Sequence, residues 1–249
     1  PEAAGKTFRA VAVTLLDDRT PLVAASDEKG VVLLWKASGG ADAADATPEL
    51  VAGIALPPGQ DKPVGALAFA PGGKLLAAGA DDGSVTLYET EDGQLQRRVR
   101  GHAMPVEGLV FSPDGARLAD ASADGDAVVW DVATGNRLGM LHMNRPGDGT
   151  SAVAFSPDGA TVATGGAMVL PEGANAPRLR PFALLWDVKD ATAPKEGPKL
   201  PGATRHVYAL AFSPDGRTIA SAGSDRAVRL NDRTAGTLLR TLGGGQQIL

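Results

Sequence analysis

Apolar residues in this chain fall in short runs in which large and small side chains alternate. Clusters rich in Gly, Pro, Asp and Asn separate the runs. Between Val106 and Leu141 the pattern predicts four strands, Val106–Phe111, Arg117–Ser122, Ala127–Trp130 and Arg137–Leu141. Alternation with period two over so few residues is the mark of a strand, not a helix. Three turns separate the strands. Ser112-Pro113-Asp114-Gly115 places Pro second and Gly fourth, as a type I turn favours, and Ala123-Asp124-Gly125 and Thr134-Gly135-Asn136 supply the other two. Four short strands joined by tight turns make an antiparallel meander.

The same template fits four more stretches, so repeats are expected at about 8–55, 64–100, 106–142, 150–200 and 207–242. In the first of them the strands fall near Arg9–Thr14, Leu22–Ser26, Val31–Trp35 and Leu50–Ile54. The phrase Phe-Ser-Pro-Asp-Gly marks three copies, at Phe111–Gly115, Phe155–Gly159 and Phe212–Gly216, and Phe69–Gly73 is a weaker one; the spacings are 42, 44 and 57 residues. Self-similarity at this period indicates a repeat architecture. In the first strand of each repeat one face carries Leu67/Phe69, Leu109/Phe111, Val153/Phe155 and Leu210/Phe212. The other carries Ala66/Ala68, Gly108/Val110, Ala152/Ala154 and Ala209/Ala211. A sheet apolar on both faces needs neighbours on both sides, and large faces packed on small ones provide them. The prediction is an all-β chain, residues 1–249 forming one domain or segment of a β-propeller with four-stranded antiparallel blades.

Composition narrows the function. The 249 residues include 32 Gly and 18 Pro spaced as turns require, no Cys, and a net charge of −5. Without Cys there is no disulfide framework, thiolate zinc site or cysteine nucleophile. An acidic balance with no basic stripe argues against nucleic acid; the cluster Arg97-Arg98 with Arg100 alternates with Val99 and reads as the exposed side of one strand. No apolar run approaches the length of a membrane span and no signal peptide is visible, so no membrane partner is expected and the cytoplasm is slightly favoured. The Ala- and Gly-heavy composition suggests a bacterial source.

With Gly101-His102, Phe-Ser-Pro-Asp-Gly, Asp124-Gly125 and Trp130-Asp131 in the third repeat, the chain resembles the WD-repeat (WD40) β-propeller family over nearly all its length. The resemblance implies a buried hydrogen-bonded network of His102, Ser122, Asp124 and Trp130, with a structural role. Other repeats depart from it. The Trp position holds Trp35, Tyr88, Trp186 and Asn231, and Gly59-Gln60 and Gly202-Ala203 stand where Gly-His would. The family most often closes with seven blades, so the five here are expected to be part of a larger ring. A closed five-bladed ring and self-association of open arcs are the alternatives.

Enzyme motifs are absent: there is no Gly-x-Ser-x-Gly, His-Glu-x-x-His, P-loop or Gly-x-Gly-x-x-Gly after a strand. No catalytic residue, metal ligand or cofactor is expected. The reading is a non-catalytic scaffold that binds a protein or peptide on one propeller face. Two alternatives stand beside it, a sensor or docking domain of a multidomain enzyme such as a kinase or protease, and a small-molecule or metal site in a central channel. By resemblance, the binding face carries the loops before the first strands and between the second and third. The longest such loop lies between Gly166 and Pro181 and brings Met168, Arg178 and Arg180; Met and Arg are enriched at interfaces. Met104, Glu107, Asn144, Arg145, His206 and Tyr208 are the other candidates. The second positions of the first strands are Arg9, Gly65, Glu107, Ser151 and Tyr208, which is not a metal-ligand set.

Overall fold

The computed structural model describes residues 7–16, 20–38, 47–54, 62–142, 148–169 and 179–243, and these form strands and no helix. Sheet 1 contains β1 (Phe8–Leu16), β2 (Thr20–Asp27), β3 (Val32–Ser38) and β4 (Thr47–Ile54). Sheet 2 contains β5 (Val64–Phe69), β6 (Leu75–Ala80), β7 (Ser84–Glu89) and β8 (Leu95–Arg100). Sheet 3 follows with β9 (Val106–Phe111), β10 (Arg117–Ser122), β11 (Ala127–Asp131) and β12 (Arg137–Leu141). Sheet 4 holds β13 (Asp148–Phe155), β14 (Thr161–Val169), β15 (Leu179–Asp187) and β16 (Lys195–Lys199). Sheet 5 ends the series with β17 (Val207–Phe212), β18 (Thr218–Gly223), β19 (Ala227–Asp232) and β20 (Leu238–Gly243). In every sheet the strands lie side by side in chain order.

The recurring phrase is a turn held by its own side chains. Ser112 Oγ donates to Asp114 Oδ1 (2.5 Å) and accepts the Arg117 N–H (2.9 Å), while Asp114 Oδ1 also accepts the Ala116 N–H (3.0 Å). Gly115, at φ 71°, closes the turn onto the Ser112 carbonyl (2.8 Å). Ser156, Asp158 and Gly159 repeat the arrangement, as do Ser213, Asp215 and Gly216. The weaker copy keeps only the backbone bond, Gly73 N–H to the Ala70 carbonyl (2.9 Å). Ser, Asp and Gly of the phrase thus pair backbone groups of the turn that no ladder partner reaches.

The chain divides into two compact units after Phe111. In the first, Leu67 and Phe69 of β5 pack on a core made by Leu22, Ala24, Val32 and Leu34 of sheet 1 with Leu76, Ala78 and Tyr88 of sheet 2. Next in line, β9 lies on β6. A β-carbon on Gly79 would come within 2.6 Å of Val106 Cγ1, so the face is small because the following first strand rests on it. β8 is the outer edge of sheet 2, with Arg98 exposed and paired to Asp82 at 2.7 Å, a charged edge that discourages further pairing. On β1 the residues in register with Leu67 and Phe69 are Val11 and Val13, each 69% exposed, so the outer face of sheet 1 is apolar and open.

In the second unit the construction repeats. Leu210 and Phe212 of β17 pack on Ala163, Ala183 and Leu185 of sheet 4, with Leu200 and Ile219 closing the cluster. β13 lies against β10 in the same way. Two arginines tie the Ser-Pro-Asp-Gly ends together. Arg117 reaches the carbonyls of Val188 (2.8 Å) and Gly159 (2.7 Å) across the Phe155 ring, and Arg233 grips Asp158 (2.9 Å) across Phe212. The Arg233 guanidinium holds the Asp158 carboxyl well below the usual carboxylate range, against a smaller opposing effect of burial.

Two expectations change. The 57-residue spacing is not a loop alone, because β14 and β15 lengthen into a ladder that pairs Val169 with Leu179, and Met168 and Arg180 lie within it. The last repeat, expected to end near 242, runs one residue further, to Gly243 at the end of β20.

Candidate partner-binding face

The first strands start, and the second-to-third turns sit, at one end of each sheet, because antiparallel pairing brings the beginning of one strand to the end of the next. Phe8 pairs with Asp27, and Val207 with Gly223. In sheets 1, 2, 4 and 5 the pairing of the first and second strands carries a bulge at the same place. Arg9, Gly65, Ser151 and Tyr208 are each skipped by the pairing. A bulge leaves its residue unpaired and re-aims the side chain. The repeat therefore leaves one position unpaired in each of these first strands, filled by a side chain in all but sheet 2, and Glu107 holds the equivalent position in β9.

In the first unit Arg9 spends its charge on Asp81 (2.9 Å). Met104 and Glu107 are exposed, and both make interactions with other residues. The second unit brings three side chains together. His206 Nε2 meets Ser151 Oγ at 2.8 Å, and the His206 ring stacks on Tyr208 with centroids 4.4 Å apart at 25°. The Tyr208 side chain nonetheless remains 60% exposed. His206 is fastened from behind, since its carbonyl accepts the Ser224 N–H (2.9 Å). Beside it, Asp225 accepts from Arg229 Nη1 (2.9 Å) and from the Thr204 N–H (2.9 Å) and hydroxyl (3.0 Å). Burial pushes the Asp225 carboxyl up, but the hydrogen bonds from Arg229 and Thr204 outweigh it and hold the group well below the ordinary range. Arg180, at the start of β15, is exposed at the same end of sheet 4. Asn144, Arg145 and Arg178 lie outside the described residues.

The buried Trp130 is bonded to Asp120, which is not among the four residues expected from the resemblance. Trp130 Nε1 donates to Asp120 Oδ2 (2.8 Å), and Asp120 Oδ1 accepts the Val128 N–H (3.0 Å). Asp120 and Ser122 are fully buried, His102 is buried, and Asp124 is half-buried at the turn. Ser122 Oγ accepts the Asp124 N–H (3.2 Å), and Asp124 Oδ1 accepts the Asp126 N–H (3.1 Å). Sheet 4 has the same pairing, with Trp186 Nε1 donating to Thr164 Oγ1 (3.0 Å). The signal was available. Where the third strand carries a buried Trp, the second carries one polar residue two places beyond its cross-strand partner, Asp120 or Thr164; where it carries Tyr88, that place is Ala78. Among the described residues no group of three or more His, Asp or Glu is arranged to hold a metal ion.

Five four-stranded antiparallel sheets with this internal register are consistent with the blades of a WD40 propeller. Comparison with known families agrees. A model described as "WD domain, G-beta repeat" matches residues 93–131 and 196–232, and one described as "Anaphase-promoting complex subunit 4 WD40 domain" matches residues 20–104. The chain carries WD40 repeats. Two curated relatives are both called "Nuclear distribution protein PAC1". The one from Arthroderma otae is 30% identical over 226 residues, covering 88% of this chain and 43% of that protein. The one from Coccidioides posadasii is 28% identical over 189 residues, covering 75% and 38%. The chain thus spans less than half the length of these relatives. Both are fungal, which lends no support to the bacterial source expected from composition.

Proposed function

We propose that this chain is a non-catalytic scaffold that holds a protein or peptide on the face carrying the first-strand bulges. The observation that carries the reading is the His206–Tyr208 stack, a rigid aromatic pair fixed from below by Ser151 and left open to solvent above. Aromatic anchors on a stiff base are what protein interfaces use as hot spots. WD40 repeats and the names of the relatives support it. Those names describe a distribution protein and not an enzyme, and one matching model describes a domain from a subunit of a multiprotein complex. Affinity capture with the intact chain and with an Arg178→Ala, Arg180→Ala, Tyr208→Ala variant tests the face. Loss of specific partners from the variant is expected. Identical partner lists would remove the face from consideration.

A second proposal concerns closure. Val11, Val13 and Leu15 present a contiguous apolar row on sheet 1, larger in side-chain volume than isolated exposed residues would require. We read this row as covered in the working protein, by further sheets of a seven-bladed ring or by another chain. Light scattering on the 249-residue chain alone is expected to show self-association, reduced by Val11→Thr with Val13→Thr. A stable monomer would overturn the idea.

A further inference from the structure

The second-to-third turn is the same hydrogen-bonded turn in four sheets. Its closing N–H belongs to Gly30, Gly83, Gly125 and Arg226, donating to the carbonyls of Asp27, Ala80, Ser122 and Gly223 at 3.0–3.2 Å. The three glycines stand at φ 83°, 81° and 99°. Arg226 stands at 62°, the one non-glycine residue with a positive φ among the described residues. An L side chain is disfavoured there, and such outliers gather where function maintains them. The strain sits next to the aromatic pair, because Ser224 of this turn is bonded to the His206 carbonyl.

The charge of Arg226 is also unspent. Its neighbour Asp225 cannot neutralise it, being occupied by Arg229 and Thr204. Among the described residues Arg226 and Arg205 are exposed and make no ion pair, and Arg180 adds a third exposed cation at this end of sheet 4. In a chain of net charge −5 this is a local reversal of sign. Exposed cations without an ion pair, at the same end of the sheets as the Tyr–His stack, match carboxylates carried on a peptide backbone. Nucleic acid fits less well, since a single aromatic platform without a basic stripe offers no track for successive bases.

We infer that Arg226, Arg205, His206 and Tyr208 form a docking site for an acidic, Asp/Glu-rich peptide segment of a protein partner. This rests on the reading of the face as partner-binding. Arg226 supplies the contact that favours acidic sequence, and Tyr208 packs against the peptide chain.

The test uses the full chain, with fluorescence anisotropy of a short Asp/Glu-rich peptide, its Lys-substituted counterpart and an oligothymidylate of similar length. The acidic peptide is expected to bind, and to bind more weakly as salt rises from about 50 to about 300 mM. Arg226→Gly is expected to weaken it about tenfold, the effect of one charge-assisted contact, while Arg226→Lys stays within about threefold. The same Arg226→Gly chain is expected to melt higher, by about 2–4 °C, because glycine relieves the left-handed strain. A site gained at the expense of stability has this double signature, and a merely tolerated residue does not. Unchanged peptide binding in Arg226→Gly, a lower melting point, or preference for the Lys peptide or the oligonucleotide would each overturn the inference. If capture of partners is lost in the Tyr208 variant while the acidic peptide fails to bind, the acidic specificity falls and the binding face stands.

Discussion

Replacing Asp120 by Ala is expected to destabilise the second unit by about 3 kcal/mol, lowering its melting point by roughly 6–12 °C. The side chain is fully buried and joins two strands, taking the Val128 N–H on one oxygen and the Trp130 indole N–H on the other. Alanine leaves both donors in a dry interior. An unsatisfied buried donor costs about 1–3 kcal/mol, and the vacated volume adds to this. Asp120→Asn retains an acceptor for one donor and is expected to lose about half as much. Thermal melts followed by Trp fluorescence check both variants, since Trp130 reports its own surroundings. A loss below about 1 kcal/mol for Asp120→Ala would mean that the indole finds another acceptor, and the network would not matter to the fold.

Gly83→Ala is expected to cost about 3 kcal/mol in the first unit, from two separable causes. The residue has φ 81°, and its β-carbon would lie 2.2 Å from the His102 carbonyl oxygen. A flexible side chain could move aside, but this obstacle is backbone that leads into β9. Urea unfolding measures the loss, and Gly72→Ala separates the causes. Gly72 has φ 77° with nothing within 4 Å of its β-carbon, so only conformational strain is introduced. A Gly72→Ala loss of about 1 kcal/mol beside the larger Gly83→Ala loss is expected. Equal losses would show that the close approach to His102 contributes nothing.

The two variants mark different depths of legibility. Ser112, Asp114 and Gly115 were readable as a turn because every bond they make lies within five residues of chain. The alternation of Leu67 and Phe69 with Ala66 and Ala68 showed that the strand is covered on both faces, since burial of apolar surface acts on side-chain type alone. The long fourth repeat was recognised from its spacing but taken for a loop. Its residues 166–169 and 179–181 extend the ladder instead, because cross-strand pairing continues for as long as both backbones remain in register. Asp120 was passed over inside an apolar strand. Its partner Trp130 is ten residues away, and only the register of the second strand against the third, compared from sheet to sheet, sets its carboxyl apart.

The sequence by itself determined the repeat, the strand-and-turn meander and the large and small faces, because these follow from contacts between near neighbours and from which side chains avoid water. Through the resemblance it also pointed to a candidate binding face at the starts of the first strands. Only the tertiary structure decided what that face holds. Ser151 and His206 are 55 residues apart in the chain and meet because β17 lies along sheet 4. Tyr208 points outward because a bulge removes it from the pairing, and Arg226 shows its strain only once its φ is known. Distances, bulges and backbone angles arise from the packing of whole sheets on one another, and a pattern of residue types along one strand does not contain them.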